Sequence, residues 1–223
     1  MKRLGLIFHG IGTPGRTLEP GEAAHWISEE RFEAVLDRVA EAPDLYEITF
    51  DDGNLSDHDI ALPALQARGL AGRFFVLTGR IGQPGSLDAD HIRALQAAGM
   101  TIGSHGVDHL AWSGLDAAAL DHELASSKAA LEAICGQEVA EAGIPFGRYH
   151  RGVLKHLRRV GYRVAWSSYR GWFSDADFPR PRASIQGDMS EAEVDQALRG
   201  YLTPYRRARR TLGLARSGRW RSV

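Results

Sequence analysis

The chain has 223 residues, of which 43% are hydrophobic and 25% are charged, and these values are typical of a globular protein with one sizeable core. The formal net charge of −1 gives the whole molecule no bias towards nucleic acid, so we expect no nucleic-acid partner. A single cysteine, Cys135, excludes an internal disulfide.

The first apolar run, residues 4–8, is too short for the core of a signal peptide, and we interpret it as a strand. No run along the chain approaches the roughly 20 apolar residues that a membrane helix needs. We therefore expect a cytoplasmic protein.

Helical patterns separate most of the predicted strands, which cover residues 4–8, 46–50, 73–77, 100–104, 139–143, 163–167 and 181–185. The first predicted helix begins after Ser28, and the others cover 59–67, the segment around Ile92 and Leu95, 114–133, 150–160 and the residues after Ser190. This alternation is typical of a parallel α/β fold, with one strand fewer than a complete eight-stranded barrel. We predict a single domain over residues 1–203, followed by a tail, residues 204–223.

The tail holds seven arginines and no acid, so the other 203 residues, with 20 basic and 28 acidic side chains, have a formal net charge of −8. A solvated helix end or a disordered tail is the first interpretation of this composition. A second interpretation is contact with phosphate, in anionic lipid headgroups at a membrane surface or in a nucleotide-linked or lipid-linked sugar.

Unusual polar residues follow the predicted strands at the point where each strand ends. Asp51 and Asp52 come directly after the second strand, and His105 comes directly after the fourth. Active sites of parallel α/β folds are assembled at the carboxyl ends of the strands. We therefore expect these side chains to meet at one rim of the fold.

His105 and His109 are four residues apart, so both imidazoles project from one face if the segment after the strand is helical. Asp52 from the neighbouring strand end would be a third ligand of the same ion. Two histidines and one carboxylate leave coordination positions open, as a catalytic metal site requires. Zinc is the first choice, with iron, cobalt, nickel and manganese as alternatives. Adjacent side chains at a strand end point in different directions, which leaves Asp51 free to act as a base.

The segments TFDDG (49–53), SHGVDH (104–109) and IPFG (144–147) resemble, in order and spacing, the first three motifs of the polysaccharide deacetylases, the NodB-like carbohydrate esterases of family four. The resemblance implies a distorted seven-stranded (β/α) barrel that hydrolyses an N-acyl group, usually acetyl, from a sugar. It also implies roles for individual residues: catalytic base for Asp51; metal ligands for Asp52, His105 and His109; and a groove wall with backbone N–H groups near the reacting carbonyl for Pro145, Phe146 and Gly147.

Two features of the family are missing. Gly143 stands where the third motif usually has an arginine that pairs with the base, and no histidine after His156 matches the late Leu-x-His of the family. We predict that Arg182 orients Asp51 instead, through a bidentate contact. The proton donor to the leaving amine stays open among metal-bound water, reprotonated Asp51, and a histidine from an earlier loop, His9 or His25.

Two further residues have alternative interpretations. His9 either lines the site or makes a structural hydrogen bond. Trp166 either stacks on a sugar ring or packs in the core.

The leading functional hypothesis is a metal-dependent hydrolase that removes an acetyl, or another acyl, group from an amino sugar in a glycan or glycan precursor. An amidohydrolase that acts on a non-sugar amide would use the same residues. A catalytically silent glycan-binding relative is the third hypothesis.

Overall fold

The computed structural model describes residues 1–200. The predicted arginine-rich tail, residues 204–223, and the predicted end of the domain at residue 203 lie outside the described residues. Within residues 1–200, none of the helices combines the length and the apolar character needed to cross a bilayer.

Strands and helices alternate along most of the chain, as the sequence predicts. In chain order they are β1 (Arg3–Phe8), β2 (Gly10–Ile11), β3 (Trp26–Ile27), α1 (Glu29–Ala40), β4 (Tyr46–Asp52), α2 (Leu62–Ala67), β5 (Gly72–Val76), α3 (Ala89–Ala97), β6 (Thr101–Ser104), α4 (Ala117–Asp121), α5 (Ser127–Cys135), β7 (Glu141–Gly143), α6 (Arg151–Val160), β8 (Val164–Trp166), β9 (Trp172–Phe173), β10 (Arg182–Ser184) and α7 (Glu191–Leu198).

The main sheet contains all seven strands that the sequence predicts. They are parallel and lie in the order β10-β1-β4-β5-β6-β7-β8, and β9 pairs antiparallel with β1. The sheet curls back on itself, because Arg180, just before β10, forms a parallel bridge with Trp166 of β8. The observed fold is the expected distorted (β/α)7 barrel, with its ends joined by this one short contact.

Side chains alternate between the two faces of each strand, and the two sets form separate cores. The outward set, which includes Phe8 and Phe50, packs against the helices, and α1 contributes Phe32 to the same cluster. The inward set forms a smaller cluster of Phe75, Trp166 and Phe173. The barrel is therefore filled by side chains below its carboxyl rim.

The predicted helix 114–133 is not continuous. It consists of α4 and α5, joined by a π-helical turn, His122–Ser126. The turn contains Glu123, a buried acid on an otherwise apolar helix face. Extra-residue turns of this kind often occur next to functional sites, and here the buried carboxylate reaches the loop that follows β6.

Candidate metal centre and active-site groove

The two adjacent aspartates at the end of β4 point to different partners. Asp51 continues the inward face of the strand, towards Arg182. Asp52 has a φ of 82°, a left-handed conformation that is unfavourable for a residue with a Cβ. This turn directs the Asp52 carboxylate towards two histidines.

His105 leaves β6 with its imidazole held in one orientation. Its Nδ1 lies 2.9 Å from the carbonyl oxygen of Gly143, and because a carbonyl only accepts, Nδ1 carries the proton. The lone pair of Nε2 then faces Asp52, with 3.5 Å between Nε2 and Oδ1. Burial, opposed by Asp51 and Asp52, lowers the pKa of His105 to about 4, so the imidazole is neutral near pH 7.

His109 reaches the same carboxylate by a different route from the one predicted. The segment after β6 is a loop, not a helix, and both Gly106 (φ 93°) and His109 (φ 55°) have left-handed backbone conformations. The helical explanation of the spacing is therefore wrong. The buried Glu123 carboxylate holds the loop by accepting hydrogen bonds from the backbone N–H groups of Val107 and Asp108, at 3.0 and 3.1 Å. This geometry sets His109 Nε2 3.6 Å from Asp52 Oδ1.

These three residues fit a divalent cation. One ligand atom from each of Asp52, His105 and His109 lies within 4.8 Å of the others. A tetrahedral zinc ion with bonds of about 2.0–2.1 Å would hold such atoms about 3.3 Å apart, close to the 3.5 and 3.6 Å measured here. Asp52 Oδ1 is buried and has no hydrogen-bond partner among the described residues, which is consistent with a metal-ligand atom.

A second group of potential ligands, His58, Asp59 and His91, lies at the surface. Two of its ring atoms are already engaged: His58 Nδ1 lies 2.8 Å from Asp59, and His91 Nδ1 accepts the backbone N–H of Asp88 at the start of α3. The group is more exposed than the one around Asp52 and is less suited to a permanent ion.

The Asp51 carboxylate is held by the bidentate contact predicted for Arg182. Nη1 and Nη2 of Arg182 donate to Oδ1 and Oδ2 of Asp51 at 2.7 and 2.9 Å, and the arginine is fully buried. Nη1 also donates to Thr49 Oγ1 at 2.9 Å. Burial alone would raise the pKa of Asp51, but the Arg182 guanidinium, together with His105 and His9, outweighs it and the pKa falls to about 2.

One glycine leaves room for this arginine inside the barrel, and a second leaves room for the aromatic ring beside it. A Cβ on Gly5 would lie 2.6 Å from Arg182 Cγ, so the neighbouring strand must carry glycine there. A Cβ on Gly143 would lie 3.0 Å from Cγ of Phe75, whose ring also has the Arg182 guanidinium 5.1 Å from its centre. Arg182 thus occupies the barrel interior beside the position where the resembled family carries its arginine.

The three candidate ligand residues and Asp51 form the floor of a groove of about 430 Å³. Phe146 lines one wall, is 54% exposed, and stacks on His109 with ring centres 4.5 Å apart. His9 and His25 line the groove as well, and their rings are 4.5 Å apart. Burial, opposed mainly by Asp51, lowers the pKa of His9 to about 3.

The remaining predicted substrate residues do not all reach the groove. Pro145 and Gly147 are buried and set the turn that presents Phe146, which has a φ of 56°. Trp166 is fully buried, and its Nε1 donates to Glu141 at 2.9 Å. A ring with no exposed surface has no face for a sugar, so Trp166 belongs to the barrel core and not to the groove.

Sequence reasoning missed three acids near the site. The sequence does indicate that Glu123 is buried, because it lies on the apolar stripe of its helix with Leu120 and Leu124. Asp57 is fully buried, and burial, followed by the charges of Asp52 and a neighbouring aspartate, raises its pKa well above the usual value. Glu19, from the long loop before α1, lines the groove, and no pattern in the sequence singled it out.

Comparisons with known proteins identify a family to which the chain is similar. The family model for polysaccharide deacetylases matches residues 39–165. The Bacillus subtilis protein YxkH, which carries a provisional polysaccharide deacetylase name, is 28% identical over 156 residues, which cover 70% of this chain and 53% of YxkH. A gellan lyase from a Bacillus species is 32% identical over 124 residues, 55% of this chain and 5% of the lyase. The chain thus spans about half of the first relative and a small part of the second.

Several solved structures share the fold. The deacetylase PplD of Streptococcus pyogenes, in complex with acetate, has a TM-score of 0.75 at 20% identity, covering 89% of this chain and 98% of PplD. A polysaccharide deacetylase from Bacillus cereus has the same TM-score and identity, covering 89% of this chain and 69% of its own. IcaB from Ammonifex degensii has a TM-score of 0.71 at 20% identity, covering 88% of this chain and 95% of IcaB. At this identity the likeness concerns the fold.

Proposed function

Because this chain belongs to the polysaccharide deacetylase family, we propose that it is a metal-dependent hydrolase that removes an N-acetyl, or another N-acyl, group from an amino sugar in a glycan or glycan precursor. One observation carries the proposal. A buried carboxylate oxygen of Asp52 lies within 3.6 Å of Nε2 of both His105 and His109, and the arginine-bound carboxylate of Asp51 stands beside them.

The proposed chemistry divides between the ion and the side chains. Asp52, His105 and His109 would hold a divalent cation, with zinc as first choice, and the bound ion would supply Lewis acidity to the amide carbonyl and to the attacking water. Asp51 accepts the proton that the attacking water loses. Arg182 keeps this carboxylate ionised and fixes its orientation by binding both of its oxygens.

The groove supplies the remaining steps. Phe146 offers an exposed ring to the sugar. The C–N bond breaks as a proton reaches the sugar nitrogen. Asp51, His9 and His25 all line the groove, and each is a candidate to deliver that proton.

The proposal is tested by acetate release from a panel of N-acetylated sugars and glycans, with zinc added after chelation. Activity should require the metal. Asp51→Asn should abolish release while the protein still binds zinc, because Asp51 is not a proposed ligand. The matched variant Asp57→Asn also replaces a buried aspartate near the site, outside the proposed chemistry, and should keep most of the activity.

The outcomes separate the competing functions. Zinc-dependent hydrolysis of simple amides, with none of acetylated sugars, would favour an amidohydrolase on a non-sugar substrate. Sugar binding without hydrolysis by any metal-loaded form would favour a silent glycan-binding relative. The cytoplasmic location expected from the sequence also stays a prediction.

A further inference from the structure

His109 is held less completely than its partner ligand. The Nδ1 atom of His105 is fixed by a backbone carbonyl. The Nδ1 atom of His109 is buried but has no hydrogen-bond partner among the described residues. A metal-ligating histidine usually donates its second ring N–H to a carboxylate or carbonyl, and this bond sets the tautomer and the ring orientation.

A carboxylate stands next to this atom. Oε2 of Glu19 lies 3.8 Å from Nδ1 of His109, and Glu19 lines the same groove. The side chain of Glu19 is 55% exposed, so a small rotation, about 1 Å at the carboxylate, is enough to form a hydrogen bond. Phe146 covers the face of the His109 ring by stacking.

Glu19 is anchored from two directions. Its Oε1 forms a salt bridge with Arg80, a mostly buried side chain. Its backbone N–H donates to Glu22 Oε2 at 2.8 Å, and Glu22 is paired with Arg16. The loop that carries Glu19 is therefore fixed over the groove by two ion pairs.

The Arg80 anchor is also tied to the histidine loop. The backbone N–H groups of Thr78 and Gly79 donate to the carbonyls of Gly106 and Val107, each at 3.0 Å. Arg80 thus belongs to a turn that is bonded directly to the loop of His109. Glu19 and His109 are held in one frame, with the carboxylate aimed at the free ring nitrogen.

We propose that Glu19 is a positioning residue for the metal site: its carboxylate accepts the Nδ1–H of His109 and so holds Nε2 towards Asp52. The inference rests on the proposed metal site. It also gives the long loop before α1 a second role, because the same segment that walls the substrate groove completes the support of a metal ligand.

The test measures zinc affinity in the absence of substrate, by competition with a chromophoric chelator. All proteins carry His91→Ala, which removes the second group of potential ligands at the surface. Glu19→Ala should weaken zinc binding about 10-fold or more, and Glu19→Gln, which keeps an acceptor oxygen, should weaken it less. Glu30→Gln is the matched control, because it removes one exposed charge from the first turn of α1, just after the same loop, and leaves both anchors of Glu19 in place.

A second readout distinguishes positioning from a general effect of charge. In the zinc-loaded protein with ¹⁵N-labelled histidine, the Nδ1–H proton of His109 should be observable and protected from exchange. Glu19→Ala should lose that protection without a change in the Nδ1–H proton of His105.

Three results would overturn the role of Glu19: an unchanged zinc affinity in Glu19→Ala, an equal loss in Glu30→Gln, or a His109 Nδ1–H proton that stays protected in the alanine variant. Failure of the parent protein to bind zinc would overturn the metal site itself, which separates the two failures. Because Glu19 is half exposed, we expect the variants to unfold at nearly the same temperature as the parent.

Discussion

Replacing Arg182 by methionine is the sharpest perturbation of this site, because methionine keeps much of the volume and removes the charge. The substitution leaves the Asp51 carboxylate buried without its two charge-assisted hydrogen bonds of 2.7 and 2.9 Å. Burial, which at present is outweighed by the guanidinium, would then raise the pKa of Asp51.

The expected size of the effect follows from the burial of both groups. Removing one partner of a buried ion pair typically costs about 3–5 kcal/mol of folding free energy. Arg182 and Asp51 are 0% and 3% exposed, so solvent cannot replace the lost contact, and we expect a value in this range. A base that is no longer oriented and ionised should lower kcat/KM about 100-fold, within the usual contribution of general-base catalysis.

The pKa of Asp51 also determines how the free energy of unfolding of the two proteins should depend on pH. In the parent protein the pKa of Asp51 is about 2, below the usual value of 3.8, so the stabilisation is present above pH 3.8 and is lost as the pH falls through 2. In Arg182→Met the charged carboxylate is the unfavourable form. The stability difference between the two proteins should therefore be largest near pH 7 and shrink towards pH 3.

The assay is urea unfolding across this pH range together with acetate release. A double-mutant cycle with Asp51→Asn should return a coupling energy of about 2 kcal/mol in folding, because the two groups interact directly. The reasoning is refuted if Arg182→Met changes neither stability nor kcat/KM, or if the stability difference is independent of pH.

A companion variant moves the arginine to the family position. Gly143→Arg alone should destabilise the protein, because a Cβ added at this position would lie only 3.0 Å from Phe75 Cγ. The Arg182→Met variant has no guanidinium in the barrel interior. Adding Gly143→Arg to this variant should raise kcat/KM on the order of 10-fold, which recovers part of the expected 100-fold loss. No recovery in a protein that remains folded would mean that only strand β10 can orient Asp51.

The other predictions concern the metal, the groove and the buried acids. Removing the metal with a chelator should abolish acetate release, and zinc should restore it in the parent protein but not in Asp52→Ala. Phe146→Ala should raise KM about 5-fold with kcat nearly unchanged, as expected for a lost stacking contact of about 1 kcal/mol, whereas Trp166→Phe should lower the unfolding temperature and leave KM unchanged. In the chelated protein, Asp57→Asn should be more stable than the parent at pH 8, with the difference closing towards pH 4: the raised pKa of Asp57 means that its contribution to stability is lost as the pH rises. Glu123→Gln should reduce zinc affinity about 3-fold or more, because two backbone N–H groups of the histidine loop lose a charged acceptor.

Much of the fold was readable from the sequence, because apolar runs and helical periodicity are local properties of the chain. All seven barrel strands appear where the pattern predicts them, and the helices after Ser28 and Ser190 begin at those caps. The short strands β2, β3 and β9 have two residues each, too few for any periodicity. The break between α4 and α5 was also hidden, because both pieces have helical sequences and differ only in hydrogen-bond register.

The residues of the proposed metal site could also be named from the sequence, since strand ends gather at one rim of a parallel fold. Their geometry could not. His109 reaches Asp52 through a loop with left-handed backbone conformations, and that loop depends on Glu123 from the next helical segment. The position of Trp166 could not be predicted either, because the local sequence does not show whether an aromatic residue near a strand end faces the core or the groove.

The sequence by itself determined the set of strands and the chemical identity of the groups at their ends, because both depend only on short segments of the chain. Only tertiary structure decided that Arg182 on β10 reaches Asp51 on β4, that Gly5 leaves the space for it, and that Glu19 stands beside His109. These contacts join residues 131, 177 and 90 positions apart. They exist because the curled sheet brings distant strands and loops to one rim, where burial makes each charge depend on its partner.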